Sequence, residues 1–319
     1  METAALQTAG QTMAAVQARE LTDALAAQFI SFIDAQPQSV AIYRAGTRKL
    51  LEWLASKGIT RPRREDVLAY RDELKANYKP TTVSLYMTAA RLFFRWTAEQ
   101  GYYPNIADHV KGAKLNREHK KECLTSNAVK DVLQTAKGDR LASLRDYAIL
   151  ALMTTCGLRC IEVTRANVED LRTVAAENKL VPALYLQGKG KEEKTDFVKL
   201  APEVTQAINA YLLARGKTDG QAPLFASVSH NSNGERLTTR SVSRLVKGHL
   251  VAAGYDRETM TAHSLRHTAA TLALLNGEEL GEVQKMLRHA NINTTMIYEH
   301  AIERAKSTCE YTVANAIFA

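Results

Sequence analysis

Cysteine is scarce in this chain of 319 residues: Cys123, Cys156, Cys160 and Cys309 are all there is. They form neither a paired metal-ligand spacing nor a disulfide framework, and a reducing cytoplasm fits them. Long apolar runs are missing too. None approaches the roughly 20 residues that span a bilayer, so no membrane partner is expected. Residues 1–18 lack a basic segment followed by an apolar stretch, which argues against export. Residues 1–20 read instead as a mobile N-terminal extension. No internal repeat and no low-complexity tract interrupts the chain. With 45% hydrophobic and 24% charged residues it is not a disordered polyampholyte, and its length suffices for two domains with separate cores.

What is present in excess is positive charge. The formal net charge is +8, which points to an acidic partner, with nucleic acid the leading candidate. Charge alone decides little, because many basic soluble proteins share it.

Apolar residues recur at helical intervals over 21–103: Leu25, Phe29, Phe32 and Ile33; Tyr43, Leu50, Leu51 and Leu54; Val67, Leu68, Tyr70 and Leu74. Four helices are expected. Gly58 ends the second, Glu65-Asp66 favours the start of the third, and Pro80 opens a fourth that runs through Phe93, Phe94 and Trp96 to Gly101. Residues 104–122 turn polar and basic, with Lys111, Lys114, Arg117, Lys120 and Lys121, and read as a linker able to wrap a duplex or simply to tether. Residues 123–319 form a second domain. Thr125 or Ser126 caps its first helix, and an almost wholly apolar helix over 141–155 is its centre. Leu184 and Leu186, then Phe197 and Val198, predict two short strands separated by the turn-forming Gly188-Lys189-Gly190-Lys191. Helices return over 203–214, 239–253, 264–275, 280–287 and 293–299, and near the C-terminus. The fold class is therefore mainly α with a small β-hairpin, in two domains.

Near the end, His263-Ser264-Leu265-Arg266-His267 is followed by Leu287-Arg288-His289 and, nine residues later, by Tyr298. Much earlier, Cys156-Gly157-Leu158-Arg159-Cys160-Ile161-Glu162 places a second arginine at a turn between helices. Cleaving a phosphodiester requires a nucleophile, neutralisation of the non-bridging oxygens and a proton for the leaving oxygen. Arg159 and Arg266 suit the oxygens, because guanidinium offers a planar fork and stays charged. His263 and His289 are suited to hydrogen bonding or proton transfer near neutrality. Tyr298 is the candidate nucleophile, a phenol that nearby cations help to ionise. A lone tyrosine would ordinarily be a core or surface residue, and its position after His289 is what singles it out. Lys189 is a candidate proton donor in competition with Lys191 and Lys194, each of which would otherwise be a solvated surface lysine. His263 and His267 have the i, i+4 spacing of zinc ligands, but no glutamate follows the first histidine and no third ligand is signalled. No metal is expected, and His267 reads as a packed or hydrogen-bonded helix residue.

Taken in order, Gly157-Leu158-Arg159-x-x-Glu162, Gly188-Lys189-Gly190, His263-x-x-Arg266-His267 and Leu287-x-His289 followed by Tyr298 resemble the tyrosine recombinase/integrase family, including Xer recombinases and mobile-element integrases. The resemblance extends from about residue 21 to the C-terminus. It implies a two-domain clamp, with a helical core-binding domain and a catalytic domain on opposite faces of the duplex. It further implies that Arg159 and Arg266 bind the scissile phosphate, His263 and His289 support the transition state, Lys189 protonates the departing 5′ oxygen, and Tyr298 attacks phosphorus to leave a 3′-phosphotyrosine. Glu162 would orient the site beside Arg159. No metal, ATP or other cofactor is implied, because the phosphotyrosine conserves the bond energy for rejoining.

By the same resemblance, Lys79, Thr81, Thr82, Arg91 and Arg95 of the core-binding domain are candidate DNA contacts, as are Thr239, Arg240, Ser243, Arg244 and Lys247 of the catalytic domain. Any one of them could equally belong to a solvated basic face. Four copies would synapse two double-stranded sites, in the cytoplasm at the nucleoid, and exchange strands through a Holliday junction. Tyr311, Val313, Ile317 and Phe318 would dock on a neighbouring subunit or pack on their own. The expected role is integration and excision or chromosome dimer resolution. A type IB topoisomerase and a DNA-binding regulator with a vestigial site are the alternatives, and the target sequence is not legible.

Overall fold

The structure, a computed structural model, describes residues 20–114, 122–176, 179–188, 193–298 and 308–318. The chain divides into two compact units between Glu118 and His119.

The first unit is helical, with α1 (Asp23–Phe32), α2 (Pro37–Ser56), α3 (Arg64–Asn77) and α4 (Pro80–Glu99). Proline opens α2 and α4, where its missing N–H costs nothing. Thr22 caps α1 by accepting the Leu25 N–H at 3.2 Å, and the Asp66 carboxylate accepts the Arg63 N–H at 2.6 Å ahead of α3. Beyond α2, Gly58 takes φ +66°, the left-handed conformation that terminates a helix. The apolar faces meet in one core. Phe29 meets Phe93 edge-on at 5.4 Å, and Leu50, Val67, Tyr70, Met87 and Phe94 complete it. Burying each such side chain contributes about 1.5–3 kcal/mol. Ala107 and Val110 belong to this core as well, so the polar segment after Pro104 begins packed against the first unit. Of the linker region, residues 115–121 lie outside the described residues.

The second unit opens with α5 (Ser126–Thr135), capped by Thr125, whose hydroxyl accepts the Ala128 N–H. Helix α6 (Leu141–Cys156) is buried from Ala148 to Thr154 and largely half-buried before that. In chain order there follow α7 (Cys160–Arg165), α8 (Pro202–Arg215), α9 (Thr239–Ala252), α10 (Ala262–Leu275), α11 (Leu280–Leu287), a helical stretch over residues 293–298 (α12) and α13 (Cys309–Phe318). Ile149, Leu152, Leu158, Val204, Ile208, Tyr211, Phe225, Val246 and Leu265 share its core.

The sheet corrects the two-strand expectation. It has three antiparallel strands in the order β1 (Leu171–Ala176), β2 (Lys179–Leu186) and β3 (Asp196–Lys199). Leu184 pairs with Leu171 and with Val198, and its side chain and that of Val198 are buried. On the opposite face Tyr185 meets Phe197 at 5.6 Å, the alternation expected of a pleated strand. β1 escaped notice because Val174 is the sole buried side chain in its span.

Candidate active site

Helix α6 delivers the chain to the site and stops there. Its last residue, Cys156, is followed by Gly157 at φ +61°, ψ 34°. A Cβ at Gly157 would lie 2.6 Å from Leu287 Cδ2, so glycine serves both the left-handed turn and the close approach of α11. The turn aims the Gly157 carbonyl at Arg266, whose Nη1 donates to it at 2.5 Å, while Arg266 Nη2 donates to the Leu287 carbonyl. Arg266 is 1% exposed. One guanidinium thus ties the ends of α6 and α11 to α10. Burial, reinforced by the Arg159 charge, lowers its pKa to about 9, which still leaves it protonated at neutral pH; Glu162 opposes the shift.

Arg159 sits at the N-cap of α7. Its backbone N–H donates to Glu162 Oε2 and its Nη1 to Glu162 Oε1, each at 2.8 Å. Glu162 is fully buried and requires more than one counter-charge. The second is Arg288, whose Nη2 donates to Oε2 at 2.7 Å and whose Nη1 donates to the Met286 carbonyl at 2.5 Å. Burial alone would raise the Glu162 carboxyl, but Arg288 and Arg159 overcome it and hold the pKa below the usual carboxylate value. The Arg159 side chain remains a quarter exposed, open to an anion on its outer side.

Helix α10 carries His263, Arg266 and His267 at i, i+3 and i+4, hence on one face. His263 is exposed, and its ring meets that of buried His267 edge-on at 4.6 Å. After α11, Arg288 takes φ +55° and turns the chain so that His289 faces the arginines. His289 Nδ1 is 2.9 Å from the Thr295 hydroxyl. Its pKa falls to about 4, through burial first and then the charges of Arg266, Arg159 and Arg288, so the imidazole is neutral at neutral pH. Tyr298, at the end of α12, is 5% exposed, and its hydroxyl lies 2.5 Å from His267 Nδ1. Arg266 and Arg159 favour the phenolate, but burial outweighs them and raises the Tyr298 pKa to about 12.

Five of the six expected catalytic residues therefore fall within the second unit, around one basic centre. Lys189 lies outside the described residues, in the segment between β2 and β3. Of its competitors, Lys191 is also outside them, and Lys194 is held at 2.5 Å by buried Asp170. The candidate DNA contacts divide. Thr239, Arg240, Ser243 and Arg244 are exposed along α9, opposite buried Val242, Val246 and Leu250. Lys247 extends that face but is engaged by Asp256 at 3.0 Å and the Arg257 carbonyl at 2.8 Å. In the first unit Lys79, Thr81 and Arg95 are exposed and Thr82 is half-buried. Arg91 donates instead to the Val110 carbonyl and the Thr88 hydroxyl, an intradomain strap.

The sequence comparison agrees with this geometry. Residues 122–304 match the phage integrase family, and residues 28–101 match its N-terminal SAM-like domain. The chain belongs to the phage integrase family. It is a tyrosine recombinase by its relatives: it is 31% identical to tyrosine recombinase slr0733 of Synechocystis sp. over 73% of this chain and 72% of the relative. It is 28% identical to tyrosine recombinase XerD of Proteus mirabilis over 90% and 92% of the respective chains. Its fold is also that of XerH site-specific recombinase in a post-cleavage complex with a palindromic difH substrate, with a TM-score of 0.71, 20% identity, and 87% and 81% of the two chains covered. A lambda integrase dimer bound to a COC′ core site gives a TM-score of 0.66 at 15% identity, over 86% and 97%.

Within this recombinase, sequence reading missed Arg288 and Thr295. Arg288 stands between Leu287 and His289, and its partner explains it: Glu162 is buried by the fold, and a buried carboxylate calls for more than one cation. Thr295 carried no signal.

Proposed function

We propose that this recombinase cleaves and rejoins specific DNA strands through a 3′-phosphotyrosine on Tyr298. The observation that carries the reading is the convergence of Arg159, Arg266, His289 and Tyr298 around the junction of α6, α10 and α11, with Arg266 fixed by buried hydrogen bonds to backbone carbonyls and Arg159 by its bond to buried Glu162. Preorganised cations favour a pentacoordinate phosphorane over its ground state, since they need not reorganise as charge develops.

In this account the scissile phosphate enters over the exposed side of Arg159, where His263 also faces solvent. The guanidinium groups of Arg159 and Arg266 neutralise the non-bridging oxygens. With the Thr295 hydroxyl donating to His289 Nδ1, the imidazole proton would sit on Nε2, a neutral N–H donor for the phosphate. Tyr298 Oη bonds phosphorus as the P–O5′ bond breaks, and the departing 5′ oxygen takes a proton from Lys189. A 5′-hydroxyl from the partner strand then reverses the step. Exposed Arg240 and Arg244 on α9, and Lys79 and Arg95 in the first unit, would hold the duplex through its phosphates.

Strand exchange through a Holliday junction needs four copies. The apolar residues of α13 support such an assembly: Tyr311, Val313, Ile317 and Phe318 are all more than half exposed. A groove of about 860 Å³ between α10, α11 and β3, lined in part by Leu272, Ala273, Val283 and Met286, is a fitting receptor on a second copy. No helix among the described residues is long and apolar enough to cross a membrane, and a site of action at the nucleoid follows from the proposed substrate.

Selection from a library of nicked duplexes tests the reading. Recovery of detergent-resistant protein–DNA adducts enriched in one paired-site sequence is expected. Adducts or plasmid relaxation without sequence preference would point to a topoisomerase-like activity instead.

A further inference from the structure

Tyr298 poses a proton problem that the arginines leave open. Burial raises its phenol to about 12, so at neutral pH the nucleophile is protonated and its proton must leave as oxygen bonds phosphorus. The group whose ring nitrogen meets that oxygen is His267, at 2.5 Å from Nδ1, with the ring planes inclined at 55° and the centroids 5.2 Å apart. His267 was assigned no chemistry by its sequence position. It is 4% exposed, adjacent in sequence to Arg266, and in edge contact with His263.

We infer that His267 is a catalytic residue of this recombinase, the proton acceptor for Tyr298 in cleavage and the proton donor that returns it in rejoining. The inference rests on the reading of Tyr298 as nucleophile. In the resting site Nδ1 is proton-free and accepts from the phenol, while Nε2 carries the ring proton. As Oη bonds phosphorus, the phenolic proton passes to Nδ1 and His267 becomes imidazolium. The P–O5′ bond breaks, its electron pair leaves with the 5′ oxygen, and that oxygen takes a proton from Lys189. Rejoining runs backwards: the incoming 5′-hydroxyl bonds phosphorus and gives its proton to the lysine amine, the P–Oη bond breaks, and Tyr298 recovers its proton from His267. The sequence neighbours divide the work: Arg266 stabilises phosphate charge while His267 manages the nucleophile's proton.

The test is single-turnover adduct formation on the trapped duplex by the full chain, its Tyr298→Phe variant and its His267→Asn variant. Asparagine can accept the phenol's hydrogen bond but cannot take its proton. His267→Asn is expected to bind the duplex normally and to form adduct about 100-fold more slowly, the lower end of general-base effects. Replacing Tyr298 with a ring-fluorinated, more acidic tyrosine should speed adduct formation by a larger factor in the His267→Asn background than in the otherwise unaltered protein, because only the former lacks a proton acceptor. Adduct formation by His267→Asn as fast as by the unaltered protein, or equal effects of fluorination in both backgrounds, would overturn the inference. No adduct with the unaltered chain would overturn the Tyr298 reading itself. Should His267→Asn fail to fold, nitrogen NMR of His267 in the unaltered chain decides. A proton-free Nδ1 whose signal moves in Tyr298→Phe supports the inference, and a protonated Nδ1 contradicts it.

Discussion

Arg288 Nη2 lies 2.7 Å from Glu162 Oε2, joining residues 126 apart in sequence, with side chains 6% and 0% exposed. Glu162 also holds Arg159, so a buried carboxylate fixes one cation at the rear of the site and another at its face. Arg288 adopts a left-handed backbone to make the contact, and that strain persists because the pair holds it.

Removing Arg288 therefore should cost more than a surface ion pair would. Arg288→Met is expected to lower the free energy of unfolding by about 3–5 kcal/mol, because it strands a buried carboxylate. Combining it with Glu162→Gln should return part of that loss. Urea denaturation of both variants checks this; additive losses would contradict the coupling.

Acid should destabilise the protein in two stages. His289 binds protons in the unfolded chain below about 6.5 but in the folded chain only below about 4, so stability is full above 6.5 and falls as the pH drops towards 4. Glu162, whose carboxyl is lowered on folding, adds a second loss below its ordinary value near 4.5. Urea midpoints measured across this range should slope accordingly, and His289→Phe should flatten the upper stage. A proton NMR titration should find His289 still neutral at pH 6.

Much of this site was legible in sequence because its residue types are tied to chemistry. Arg159, His263, Arg266, His289 and Tyr298 belong to ordered motifs, and helical periodicity placed α1 to α4 and the capped α5. What was not legible depended on distance. Nothing local in Leu171–Ala176 marks a strand, since it becomes one only by pairing with β2. Nothing in the spacing of His267 and Tyr298 announces that they touch, because the meeting is made by the packing of α12 against α10. The phenol's raised pKa was missed for the same reason: burial outweighs nearby charge, and burial is a property of the fold.

Gly157 should tolerate no side chain. Gly157→Ala meets a backbone cost of roughly 1–2 kcal/mol for the left-handed conformation, and its methyl would also press on Leu287. Thermal unfolding should show a lower Tm. Cleavage should fall further than folding alone accounts for, because the carbonyl that aligns Arg266 moves. Wild-type cleavage by a folded Gly157→Ala protein would contradict this role.

Arginines with similar sequence signals should separate by assay. Arg240→Ala and Arg244→Ala are each expected to weaken DNA binding and to make the slope of log K against log salt shallower by about 0.9 for each phosphate no longer neutralised. Arg91→Ala should lower the stability of the first unit and leave the salt slope nearly unchanged, since its guanidinium is committed to Val110 and Thr88. Fluorescence anisotropy over a salt series distinguishes them.

The central claim, that Tyr298 carries the covalent link to DNA, is tested most directly by trapping the adduct on a nicked duplex, digesting both components and locating the residual nucleotide by tandem mass spectrometry. The account predicts a 3′-phosphonucleotide on the peptide containing Tyr298 and no adduct from Tyr298→Phe. A nucleotide on any other residue, or an adduct that survives Tyr298→Phe, would contradict it.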